Sequence, residues 1–100
     1  MPVPFSSRVL VPDQVLKREL DGEAVILNLD SERYFGLDEI GTRMLVLLST
    51  CGTIQQAYEA LLEEYDVTPE VLRNDLQALL DKLLEHGLIQ IDAPENAQVS

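Results

Sequence analysis

One histidine, one cysteine and no tryptophan limit the chemistry open to this 100-residue chain. His86 stands where a helix pattern ends, a place in which an imidazole interacts well with the helix dipole. Cys51, in Ser49-Thr50-Cys51-Gly52, falls at the end of another helix pattern and reads as a small apolar residue. A Cys–His dyad would supply a thiolate nucleophile, but acyl transfer also needs a group that orients the imidazole and donors for an oxyanion. No such residues accompany these two. No pair of Cys or His residues has zinc-ligand spacing. Gly22, Gly36, Gly41, Gly52 and Gly87 are scattered and form no phosphate-cradling loop. The paired carboxylates Glu63 with Glu64, and Asp81 with Glu85, fall on polar helix faces, where they serve solubility. The sequence thus predicts a non-enzymatic protein that needs no metal or cofactor. Its activity is binding.

Charge narrows what it binds. Acidic residues outnumber basic ones 18 to 7, for a net charge of −11. Residues 1–50 carry five bases against eight acids, and residues 51–100 two against ten. Such a surface repels phosphate backbones and anionic lipids, so nucleic acid and membrane are poor partners. Peptides, basic segments and other proteins remain. No apolar stretch approaches the roughly 20 residues of a membrane span. Met1-Pro2-Val3-Pro4-Phe5-Ser6-Ser7-Arg8 lacks the apolar run of a signal peptide. A lone cysteine makes no internal disulfide, which agrees with a reducing, cytoplasmic location.

The elements that must position a binding site follow from periodicity. A hydrophobic fraction of 46% and a length near the usual domain size predict one core. Residues 1–8 read as an N-terminal arm, 9–91 as the domain and 92–100 as a flexible tail. Val15 to Leu20 and Glu23 to Leu29 read as strands joined by Asp21-Gly22, a two-residue hairpin turn whose positions tolerate positive φ. In the second strand Val25, Leu27 and Leu29 share one face, and Ala24, Ile26 and Asn28 the other. Asp30-Ser31-Glu32 turns the chain into a third strand, Arg33 to Leu37. The period then changes to that of helices. Asp38 caps a helix over Glu39–Ser49 with Ile40, Met44, Leu47 and Leu48 inward. Thr53 and Gln56 form a capping box opening a helix with Ile54, Ala57, Tyr58, Leu61, Leu62 and Tyr65 in one stripe. Thr68-Pro69-Glu70 starts the third helix, whose Leu72, Leu76, Leu79, Leu80, Leu83 and Leu84 point inward. Gly87 ends it, and Leu88 to Ile91 forms a short strand. This is an α+β, winged-helix-like domain: a three-stranded antiparallel meander, then a three-helix bundle.

The last two helices also resemble a DNA-reading helix-turn-helix. The would-be recognition helix, however, sets Arg73 and Lys82 against Glu70, Asp75, Asp81 and Glu85, the wrong sign for a groove reader. A winged-helix regulator is therefore an alternative, distinguishable by salt-dependent DNA binding. An acidic carrier protein loaded on Ser31 is another, but Asp30-Ser31-Glu32 lies in a hairpin turn rather than at a helix start.

The run Glu32-Arg33-Tyr34-Phe35-Gly36-Leu37-Asp38-Glu39-Ile40-Gly41-Thr42 resembles the PqqD-like family, the RiPP recognition elements. The similarity extends from Val9 to Ile91 and includes the ending Glu85-His86-Gly87-Leu88-Ile89. It looks most like the stand-alone members of lasso peptide clusters. Two departures are visible: Asp38 stands where asparagine is common, and Met44-Leu45 where a tryptophan often follows. The resemblance implies that the leader of a ribosomally made precursor peptide adds as an antiparallel strand to the third strand of the meander, walled by the third helix, and is delivered to processing enzymes. On this chain the edge is Arg33, Tyr34, Phe35, Gly36 and Leu37, and the wall Leu72, Arg73, Asp75, Leu76 and Leu79. Strand parity sends Tyr34 and Phe35 to opposite faces, and either one can be the residue that meets the ligand. Further implied partners are a leader peptidase of transglutaminase-like fold and an asparagine-synthetase-like cyclase. The alternative within the family is a peptide chaperone of another RiPP or quinone cofactor pathway.

Overall fold

The computed structural model describes residues 3–92. Its elements run β1 (Arg8–Leu10), β2 (Val15–Leu20), β3 (Glu23–Asn28), β4 (Tyr34–Leu37), α1 (Glu39–Thr50), α2 (Ile54–Glu64), α3 (Pro69–Glu85) and β5 (Gln90–Asp92). The meander β2-β3-β4 is antiparallel as its sequence predicts, and a separate two-stranded sheet pairs β1 with β5. In that small sheet Val9 lies opposite Ile91. The expected tail contributes Asp92 to β5; the rest of it, residues 93–100, lies outside the described residues.

Local signals produce the predicted joints. Asp21 and Gly22 take φ of 55° and 84°, so the turn twists with its strands. The Asp38 carboxylate accepts from the Gly41 amide at 2.7 Å and caps α1. Thr53 and Gln56 complete their capping box on α2. At the end of α3, Gly87 at φ 69° lets its own amide donate to Leu84 O and that of Leu88 donate to Leu83 O, a Schellman closure.

Packing departs from the sequence expectation at Ile40 and Leu84, and settles what the sequence left open on β3 and in the N-terminal arm. Ile40 was expected inward, yet it is 49% exposed, and Gly41, Met44, Leu45 and Leu48 form the buried stripe instead. Close approach accompanies this: a Cβ on Gly41 would stand 3.2 Å from Leu37 Cδ2, so glycine lets α1 settle against Leu37 without displacing that side chain. Leu84, also expected inward, is 37% exposed at the margin of the α3 core stripe. On β3 it is Ala24, Ile26 and Asn28 that face the core, leaving Val25 and Leu29 outside. The stretch read as a free arm is held down. Phe5 O and Ser7 O accept from the first amides of α2, those of Gln55 and Ile54, and the Phe5 ring packs edge-on against Tyr58 at 5.5 Å.

Asn28, only 7% exposed, joins the two ends that matter for β4. Its Oδ1 accepts from the amides of Asp30 and Ser31, shaping the β3–β4 turn, while its Nδ2 donates to Gly87 O at 2.8 Å. The turn is thereby tied to the end of α3. Replacing Asn28 by Ala removes three partly buried hydrogen bonds, at a cost of about 1–3 kcal/mol. A thermal melt of Asn28→Ala is expected to fall by at least about 5 °C. An unchanged melting temperature would show that the turn closes without it.

Candidate peptide-binding site

The backbone at β4 determines which groups a new strand would find. The Asn28 amide donates to Arg33 O at 2.8 Å, which makes Asn28 and Arg33 a hydrogen-bonded pair. Register places Leu27 opposite Tyr34, Ile26 opposite Phe35, Val25 opposite Gly36 and Ala24 opposite Leu37. Because antiparallel pairs alternate, Phe35 and Leu37 bond inward to β3, and Tyr34 and Gly36 turn their N–H and C=O groups to the open edge. The same parity sends side chains apart. Tyr34 stands on the outer face, 69% exposed, while Phe35 is half-buried on the inner face with Leu37 beneath it. Both aromatics therefore flank an added strand, one on each side.

The second wall is α3, which lies antiparallel to β4. At one end the His86 ring meets Phe35 with centroids 5.4 Å apart. At the other, Asp75, Ala78 and Leu79 share a pocket of about 310 Å³ with Asp38, Ile40 and Met44. Positions 75, 79 and 86 recur on one face of the helix, as its 3.6-residue period requires.

Of the expected site residues, the structure brings Arg33, Tyr34, Phe35, Gly36 and Leu37 to the edge, and Asp75 and Leu79 to the facing wall. It does not bring Leu72, Arg73 and Leu76 there. Leu76 is completely buried and Leu72 nearly so, both within the core cluster. Arg73 is turned to the opposite flank, its guanidinium 4.6 Å from the Phe5 ring centroid and 5.2 Å from that of Tyr58. Asp75 lies two positions after Arg73, about 200° of helical rotation, so one wall cannot hold both. Ile40, Met44, Ala78 and His86 complete the groove and were missing from the expected set. Periodicity assigns both Ile40 and Met44 to the core; Met44 is buried there while lining the groove, and Ile40 is exposed.

Cys51 and His86 each sit at a helix end. Cys51 is the C-cap of α1, its amide bonded to Leu47 O, and His86 Nδ1 lies 2.9 Å from Lys82 O. Among the described residues no group of three or more His, Cys, Asp or Glu side chains is placed to hold a metal ion, and no helix is long and apolar enough to cross a membrane. A charged pair joins α1 to α2. There Arg43 donates to both Glu64 oxygens at 2.8 and 2.6 Å. These hydrogen bonds hold the Glu64 carboxyl below its ordinary range and raise Arg43. The contribution is present above the ordinary carboxylate range and is lost as pH falls through the lowered value.

Comparison with known proteins agrees with this geometry. No curated protein matches the chain significantly. The structure of TbiB1 in complex with the TbiA(beta) leader peptide superposes with a TM-score of 0.75 at 31% identity, covering 81% of this chain and 94% of that one. A lasso peptide synthetase B1 complexed with its leader peptide has the same fold, with a TM-score of 0.74 at 20% identity over 83% of this chain and 98% of that one. Residues 23–89 match the family described as coenzyme PQQ synthesis protein D, which spans β3, β4, all three helices and the Schellman closure. With that match over more than half its length, the chain belongs to the PqqD family.

Proposed function

We propose that this protein binds the leader of a ribosomally synthesised precursor peptide by strand addition to β4, in the groove walled by α3, and presents it to processing enzymes of lasso peptide biosynthesis. The observation that carries the proposal is the open edge at Tyr34 and Gly36, set beside an apolar groove rather than a flat surface. An uncovered edge is an aggregation hazard unless it is used, and pairing with a peptide uses it. Leader complexes of two proteins with this fold support the reading. The role is one of recognition without catalysis. The enzymes that fit it are a leader peptidase of transglutaminase-like fold and an asparagine-synthetase-like cyclase, acting in the cytoplasm.

Hydrogen exchange tests the mode of binding. On adding a synthetic lasso-precursor leader peptide that binds the chain, the amides of Tyr34 and Gly36 are expected to slow by about tenfold or more, since they gain partners. The Phe35 and Leu37 amides already pair with β3, and those of α2 lie elsewhere, so both sets should change less. Slowing confined to α2 would place the ligand on another surface and defeat the proposal.

A further inference from the structure

We infer that the pocket at the Asp38 end of the groove takes a lysine or arginine side chain of the bound strand, so that the leader is recognised by a cation at one register position as well as by backbone pairing. This rests on strand addition at β4. The walls are apolar: Ile40, half exposed in the first turn of α1, Met44 below it, and Ala78 and Leu79 of α3. They fit the methylene stem of a long side chain. The rim is anionic. Asp38 commits Oδ1 to the Gly41 amide, and Asp75 forms an ion pair with no basic side chain among the described residues. The nearest base along α3, Arg73, is turned away onto Phe5 and Tyr58. An apolar side chain would fill the walls yet desolvate two carboxylates without compensation, and an acidic one would be repelled. Only a cation on an aliphatic stem satisfies both parts.

Register makes the inference specific. Directly opposed residues of neighbouring strands point to the same face. A leader residue opposite Leu37 therefore points toward α3 at the Asp38 end, and one opposite Phe35 points toward His86. In an antiparallel leader the first of these comes two residues before the second. The expected pattern is Lys or Arg, any residue, then an apolar residue that packs on Phe35.

A random twelve-residue peptide library displayed on phage, selected on the purified full chain, provides the test. Sequences enriched on wild type but not on Gly36→Pro are edge binders. They should share the cation two positions before an apolar residue, and selection on Asp75→Lys should replace that cation with Asp or Glu. For one enriched peptide, Lys→norleucine and Asp75→Asn should each weaken binding about fivefold by fluorescence anisotropy, and together no further, since both remove one interaction. Edge binders without a preferred cation, or losses that add in the double variant, overturn the cation pocket and leave strand addition standing. Enrichment identical on wild type and Gly36→Pro overturns both.

Discussion

Proline at Gly36 is expected to reduce leader affinity by at least about tenfold while the protein stays folded. Gly36 turns its amide to the open edge, so proline removes a donor the ligand needs and no hydrogen bond of the native sheet. Its ring also occupies the approach path of the added strand. A side chain at Gly36 meets nothing within 4 Å, and its φ is not positive, so the substitution finds room. Phe35→Pro is the matched control. Its amide pairs inward with β3, so the same change there breaks the ladder and should lower the melting temperature by about 10 °C or more. Anisotropy titration and thermal melts of the two variants decide the matter. A Phe35→Pro protein that melts like wild type, beside an unfolded Gly36→Pro protein, would mean that the edge parity is reversed. Full leader binding by a folded Gly36→Pro protein would remove strand addition from consideration.

The second large effect separates core from groove on α3. Leu76 has no exposed surface, and Leu76→Ala is expected to cost about 2–5 kcal/mol, enough to depress melting by 10 °C or more. Leu79, three residues on and half-buried, lines the pocket beside Ala78. Leu79→Ala should cost less stability and more affinity, because the leader's side chains lose an apolar wall. If Leu79→Ala destabilises as much as Leu76→Ala and binds leader normally, the wall of the groove is not where this structure places it.

These contrasts show which parts of the site are local. The Asp21-Gly22 turn, the Asp38 cap, the Thr53–Gln56 box and the Gly87 closure all depend on hydrogen bonds between residues at most five apart. Such bonds form wherever those residue types occur at that spacing, so the order of the meander and the three helices was legible from the chain alone, whereas β1, which pairs with the distant β5, was not. The Glu32–Thr42 run was legible too, because a strand, a turn and a capped helix follow one another without interruption.

What the chain alone left open was rotation and edge. Leucines at 72, 76, 79, 80, 83 and 84 cover more of α3 than the core can accept, and the pattern does not say which leucine falls at the margin. Packing against α2 and the docked Phe5 turns Arg73 outward on one flank and Asp75 toward β4 on the other. Gly41 settles against Leu37, and Ile40 lies out of the core and in the groove. Asn28 looked like one more strand residue until its contact with Gly87, 59 positions away, placed it at the joint of turn and helix. Each of these depends on which surfaces meet across the fold. The sequence by itself determined the elements, their caps and the kind of surface they would make. The tertiary structure decided which face of α3 meets β4, because burying the largest apolar area at close packing selects one rotation among several that the periodicity allows.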